Sequence, residues 1–98
     1  MSKPFECSSG TYTGTGAAQS VALGFKPDMV IVFNQTDGDT VGIFVDGMDD
    51  DTAIVITTAV ALDVADGITL SSSGFSLGTG AECNENLKVY RYVAVGGN

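Results

Sequence analysis

Apolar and polar positions alternate along most of this chain, interrupted by short runs of Gly, Ser and Asp. A period of two marks half-buried strands. One stretch departs from it. Met29-Val30-Ile31-Val32-Phe33 is apolar throughout, too short for a stable helix and about right for a strand. Both its faces are apolar, so both are expected to be covered, and such a strand is expected to be central in its sheet. Pro27 precedes it, where a missing N–H breaks no ladder bond. Asn34-Gln35-Thr36-Asp37-Gly38 leads out of it, and Asp-Gly suits a hairpin turn that needs positive φ. Val41-Gly42-Ile43-Phe44-Val45 is therefore predicted as the antiparallel return strand. Gly42 marks either a bulge or a close approach.

The same reading extends to the rest of the chain. Residues 5–8 are expected to form a short opening strand and Thr11-Tyr12-Thr13 the next, ended by turn glycines Gly14 and Gly16. Residues 19–23 alternate, with Val21 and Leu23 on one face. Residues 24–28 form a connecting turn anchored by Phe25, and residues 46–51 a polar loop. Residues 53–62 are ambiguous: their length permits a helix, while their β-branched side chains favour one strand or two short ones. Residues 63–67 are predicted as a turn, 68–77 as a hairpin broken at Ser71-Ser72-Ser73-Gly74, and 79–86 as a loop. Residues 87–95 are the longest strand signal. Leu87, Val89, Arg91, Val93 and Val95 share one face of it, and Tyr90, Tyr92 and Ala94 the other. Phe25, Phe33, Phe44 and Phe75 are assigned to the core. Short strands between turn signals, with no long helix, predict an all-β, single-domain antiparallel β-sandwich (jelly-roll-like) or small barrel of about eight short strands, covering residues 1–98.

Composition narrows the function. The chain has 98 residues, four Lys plus Arg, no histidine and a formal charge of −8. A domain of this mass buries roughly 65% of its unfolded surface, so oligomerisation or docking on a larger body would add to a modest core. The charge lacks the basic footprint of a nucleic-acid binder. It also opposes anionic membrane surfaces and favours a basic partner. No apolar run approaches the ~20 residues of a membrane span, and the N-terminus lacks a signal-peptide core. Cys7 and Cys83 are expected to be free thiols rather than a disulfide framework.

Candidate chemistry is sparse. Without histidine, Ser-His-Asp and Cys-His catalysis and His-based metal sites are excluded. Gly14-Thr15-Gly16 begins like a dinucleotide fingerprint but has Gln19 at the third glycine, and Gly78-Thr79-Gly80 fails likewise at Cys83. Ser71-Ser72-Ser73-Gly74 is no nucleophile elbow, because Leu70 stands where that motif needs glycine. Asp46, Asp49, Asp50 and Asp51 could hold Ca²⁺ or meet a basic partner, but their spacing is not that of an EF-hand and a solvated loop is the simpler reading. Tyr90 and Tyr92 either complete the core or fill an interface. Arg91, among valines, is either an edge-strand charge or an interface anchor. The interface candidates are thus Tyr90, Arg91, Tyr92, Asp49, Asp50 and Asp51, with no catalytic, cofactor or metal residues and no cofactor.

Three segments in order resemble a recurrent small β-module of tailed-phage virion proteins. They are Gly10-Thr11-Tyr12-Thr13-Gly14-Thr15-Gly16 with Gln19-Ser20-Val21, Leu23-Gly24-Phe25-Lys26-Pro27-Asp28 running into Val30-Ile31-Val32, and Gly74-Phe75-Ser76-Leu77-Gly78 followed by a loop with Asn84 and Asn86 and then Tyr90-Arg91-Tyr92-Val93-Ala94. Residues 36–70 match poorly. The resemblance implies a non-enzymatic virion protein, made in the host cytoplasm. It would be either a capsid decoration (cement) protein or a tail- or head-fibre or spike module that binds a host-surface glycan, through Tyr90 and Tyr92 or the acidic loop. A module that begins at Met1 and ends just after its closing strand suits decoration. The expected partners are then the major capsid protein or other virion proteins, and further copies of itself, with a trimer at local threefold positions as the expected symmetry.

Overall fold

The chain forms β1 (Glu6–Thr13), β2 (Gln19–Ala22), β3 (Met29–Asn34), β4 (Val41–Val45), β5 (Thr52–Ile56), β6 (Val60–Ser71), β7 (Gly74–Leu77), a single helical turn α1 (Ala81–Asn84), and β8 (Val89–Gly96). This computed structural model describes residues 6–96, with the backbone alone at 63–66 and 81. All eight strands lie in one antiparallel sheet, in the order β1-β8-β3-β4-β5-β6-β7-β2. The run β3 to β7 is a meander of successive hairpins. The sheet curls into a nearly closed barrel, so its two edges, β1 and β2, approach each other. They are also consecutive in the chain, joined by the loop at 14–18. The all-β small barrel is thus the observed fold.

β3 is central, as its pattern predicts. Ile31 pairs with Ile43 on one side and Val93 on the other. The predicted hairpin to β4 is present. Buried Asn34 shapes its turn: its Oδ1 accepts the Asp37 N–H at 3.0 Å, its carbonyl accepts Gly38 N–H at 2.8 Å, and Gly38 takes a φ of 70°. Gly42 sits in regular register with both neighbours, so it marks a close approach and not a bulge. A Cβ there would lie 2.6 Å from the Cys83 sulfur.

The concave side of the sheet is the core. Val30, Val32, Phe44, Ala53, Val55, Ile68, Phe75, Leu77, Tyr92 and Ala94 meet there, with Cys83 added from α1. Tyr12, on edge strand β1, lies parallel to Tyr90 at 5.2 Å and edge-on to Phe75 of β7 at 6.4 Å. Its hydroxyl donates to the Cys83 carbonyl at 2.7 Å. Aromatic packing thus bridges the edges where backbone pairing stops, and such pairs add roughly 0.5–1.5 kcal/mol each beyond their burial.

Three expectations are corrected, and the open reading of residues 53–62 is resolved. Residues 6–13 form one continuous strand paired along β8 rather than two short ones; Phe5 lies outside the described residues. The ambiguity at 53–62 resolves to the two-strand alternative: the segment forms the arms of a β5–β6 hairpin, turned at Thr57-Thr58-Ala59. The predicted turn at 63–67 is a bulge inside β6. Partners jump from Ala53↔Asp63 to Thr52↔Ile68, so residues 64–66 bow out of the ladder, and Gly67 N–H rejoins it by donating to the Asp51 carbonyl at 2.9 Å. Leu87 is not in the last strand: it has a φ of 69° and is 77% exposed, ahead of β8. The loop at 79–86 holds the one turn of α1.

Candidate interaction surface

Strict alternation gives the sheet a second, convex side, and this side is also apolar. Pairing aligns its residues in rows across the strands. One row runs Val93, Ile31, Ile43, Ile54, Leu62. On one side of it lies Arg91, Phe33, Val41, Ile56, Val60, and on the other Val95, Met29, Val45. Among the described residues no element packs over this face. Val60 is 70% exposed, Leu62 59%, Val45 and Val93 41% and Phe33 39%. Arg91 is exposed, and the other apolar residues of these rows are half-buried. Phe33, assigned to the core by its size, therefore points outward. Among the described residues the expected cover on both faces of β3 is not met, because a curled sheet encloses one interior.

The charges sit around this face rather than on it. Arg91 occupies one corner, where its Nε donates to Gln35 Oε1 at 2.9 Å. Carboxylates lie beyond the strand ends. Asp28 and Asp46 are at one end, with Lys26 Nζ 3.7 Å from Asp46 Oδ1. Asp37 and Asp39 are at the other, with Lys88 Nζ 3.2 Å from Asp37 Oδ1. The result is an apolar area framed by mostly negative loops. Isolated exposed apolar side chains are ordinary, but a contiguous set of them framed by polar residues marks an interaction site.

The predicted site residues separate. Tyr90 and Tyr92 are 0% and 9% exposed and face the core, so their rings present no surface to a partner. Burial pushes the Tyr90 phenol up to about 12 and the Tyr12 phenol further still. Tyr90 Oη accepts the Glu85 N–H at 3.0 Å, which partly offsets its shift. Arg91 alone of the three consecutive candidates reaches the outer surface. Asp49 and Asp50 are exposed and Asp51 is half-buried. Among the described residues no three acidic or cysteine side chains converge to hold a cation. Cys7 is exposed on β1 and Cys83 is buried on α1, with no disulfide between them.

Two further features have roles that no sequence motif announces. Asn84, 0% exposed, has all its polar capacity engaged. Its Oδ1 accepts Thr15 N–H at 3.0 Å and Gln19 Nε2 at 2.6 Å, and its Nδ2 donates to the Ala17 carbonyl at 2.7 Å and the Gly78 carbonyl at 2.8 Å. It pins the β1–β2 loop to the chain ahead of α1. Beside it an open hollow of about 340 Å³ is lined by Gln19, Ser20, Asp51, Ser76 and Thr79, with no aromatic ring in its wall.

No protein family, no curated protein and no solved structure matches the chain. The functional reading therefore rests on the residues and on the geometry of this face.

Proposed function

We propose that the protein is a non-enzymatic structural component that works by packing against other molecules in a larger assembly. The motif resemblance makes that assembly a tailed-phage virion, and the role that of a capsid decoration protein bridging subunits of the shell. The observation that supports this reading is the uncovered apolar face of β8, β3, β4, β5 and β6. A domain of this size has little apolar surface to spare, yet places large aliphatic side chains and Phe33 outside the core. Such residues stabilise the protein only when something covers them, at about 25 cal/mol per Å² buried. Many copies on a repeating lattice convert modest contacts into durable attachment.

The glycan-binding alternative lacks a stacking platform, since Tyr90 and Tyr92 face inward and no ring lines the open hollow. Catalysis has no support either: the chain has no histidine and its described carboxylates are dispersed. Quantitative mass spectrometry of purified particles from the source is the test. The expected result is a copy number comparable to that of the shell subunits. Absence from particles, or only a few copies in each, would overturn the decoration role.

A further inference from the structure

We infer that the open edge of β6 at Val60-Ala61-Leu62 pairs antiparallel with the same segment of a second copy of this chain, joining the two sheets about a twofold axis at Ala61. The inference concerns a strand edge and not the convex face, and it does not depend on the virion role. β6 has a neighbour on both sides over only part of its length. β7 pairs with it from Ile68 to Ser71, whereas Val60 to Asp63 pair with β5 alone. Exposure marks the difference. On β5, Ile54 and Ile56 are half-buried and Val55 is buried. Val60, Ala61 and Leu62 opposite them are all exposed, so this arm is open on both faces as well as along its edge. β1, a longer edge strand, instead faces β2 across the seam of the barrel.

The register says which backbone groups lie along this edge. Asn34 N–H donates to the Thr40 carbonyl beside the β3–β4 turn, and antiparallel ladder bonds recur at every second residue. Carried across the sheet, that phase turns the N–H and C=O of Ile54 and Ile56 toward β4 and those of Ala53 and Val55 toward β6. Ala61 and Asp63 complete the bonds to β5, and Val60 and Leu62 turn theirs to the open side. Such an edge is a template for another chain, and edges are commonly guarded by charge or proline. Thr57-Thr58-Ala59-Val60-Ala61-Leu62 has neither. The bulge at 64–66 ends the open run, since a bulge disrupts the ladder and bends its strand.

A second copy fits this edge in one register. Ladder bonds need outward-turned groups on both strands, so Val60 lies opposite the partner's Leu62 and Leu62 opposite the partner's Val60. Ala61 then meets the partner's Ala61 in a non-hydrogen-bonded pair, where Cα atoms come within about 4.5 Å and side chains are closest. The residue at that point is small, and Val60 and Leu62 pair as aliphatic neighbours on the other face. No side chain in the paired segment is charged. A self-complementary edge used on itself closes as a pair, so the unit is a dimer rather than the trimer expected from the resemblance. A contact this short makes a weak complex in free solution.

Cross-linking tests the register. Cys83 is buried and Cys7 exposed, so a Cys7→Ser background leaves no competing surface thiol among the described residues. In it, Ala61→Cys sets two thiols opposite each other at a Cα spacing of about 4.5 Å, within disulfide reach. Ala59→Cys, equally exposed, sets them four residues out of step, about 13 Å apart and beyond reach. Oxidised glutathione accepts the two electrons and leaves as two reduced thiols. The disulfide-linked dimer of Ala61→Cys is expected to form about tenfold or more faster than that of Ala59→Cys, because pairing raises the effective thiol concentration. Sedimentation equilibrium of the unmodified chain is expected to show a monomer–dimer equilibrium within the millimolar range. Leu62→Pro removes an N–H that points away from β5, a position where a strand tolerates proline. It is expected to leave circular dichroism unchanged and to abolish the dimer; should it not fold, the two cysteine variants decide. Equal cross-linking of those variants, an unmodified chain that stays monomeric up to millimolar concentration, or a folded Leu62→Pro chain that still dimerises would overturn the inference. Copy number on particles bears on the virion role alone, so the two readings fail separately.

Discussion

Asn84 illustrates how one buried polar residue holds a fold whose partners are far apart in sequence. Its four hydrogen bonds reach Thr15, Ala17, Gln19 and Gly78. Asn84→Ala takes the shared partner from four part-buried groups, at about 1–3 kcal/mol for each that water cannot reach. The expected loss is about 2–4 kcal/mol, read as a lowered Tm. Gln19→Ala, which removes one half-exposed partner, is expected to lose under about 1 kcal/mol. The resemblance includes Asn84, but no local pattern gives its role, because its partners Thr15, Ala17 and Gln19 lie 65 to 69 residues away. Tyr12 and Tyr90 carry a pH dependence. Both phenols have raised values when folded, chiefly from burial. The unfolded chain releases these protons first, so their contribution is fully present below pH about 10 and is lost as pH rises toward and beyond about 12. Alkaline titration should show tyrosinate absorbance from these two residues rising together with loss of near-ultraviolet circular dichroism. An ordinary titration of all three tyrosines near pH 10, with the fold intact, would contradict their burial.

At the scale of elements, the patterns that were legible are those whose chemistry is local. The β3–β4 hairpin follows from an apolar run, an Asx turn and Asp37-Gly38. The β6–β7 hairpin follows from two alternating runs around Ser71-Ser72-Ser73-Gly74. β6 itself was misread because Asp66-Gly67 suits a bulge as well as a turn: both need a small residue where backbones crowd. At Gly67 a Cβ would lie 2.7 Å from the Thr52 carbonyl carbon and oxygen. Gly67→Ala must therefore shift backbone, and is expected to destabilise by about 1–3 kcal/mol. Urea unfolding should show a lower midpoint with an unchanged slope. The face assignment in β8 was right, with Tyr90 and Tyr92 opposite Arg91, but the alternation did not say which face was inside. Both faces of β3 and β8 are apolar, and curvature decides between them. The concave side took the rings that fill a barrel, Tyr12, Phe44, Phe75, Tyr90 and Tyr92, and left β-branched side chains outside.

At the scale of the whole molecule, that choice leaves the protein with two apolar sheet faces and one interior. The apolar run at 29–33 predicts cover on both sides, and the described residues supply it on one. The missing cover accounts for Phe33 facing out, for the projecting Val60 and Leu62, and for carboxylates kept to the strand ends. Candidate interface residues were therefore only partly legible. Arg91 and the acidic loop are on the surface, while the aliphatic rows were hidden among residues that read as core. The most direct measurement is a cryo-EM map of the source particle. The account predicts this domain at a repeated position on the shell, with protein density against the outer face of β8, β3, β4, β5 and β6. A particle without the domain, or one on which that face is open to solvent, would contradict it.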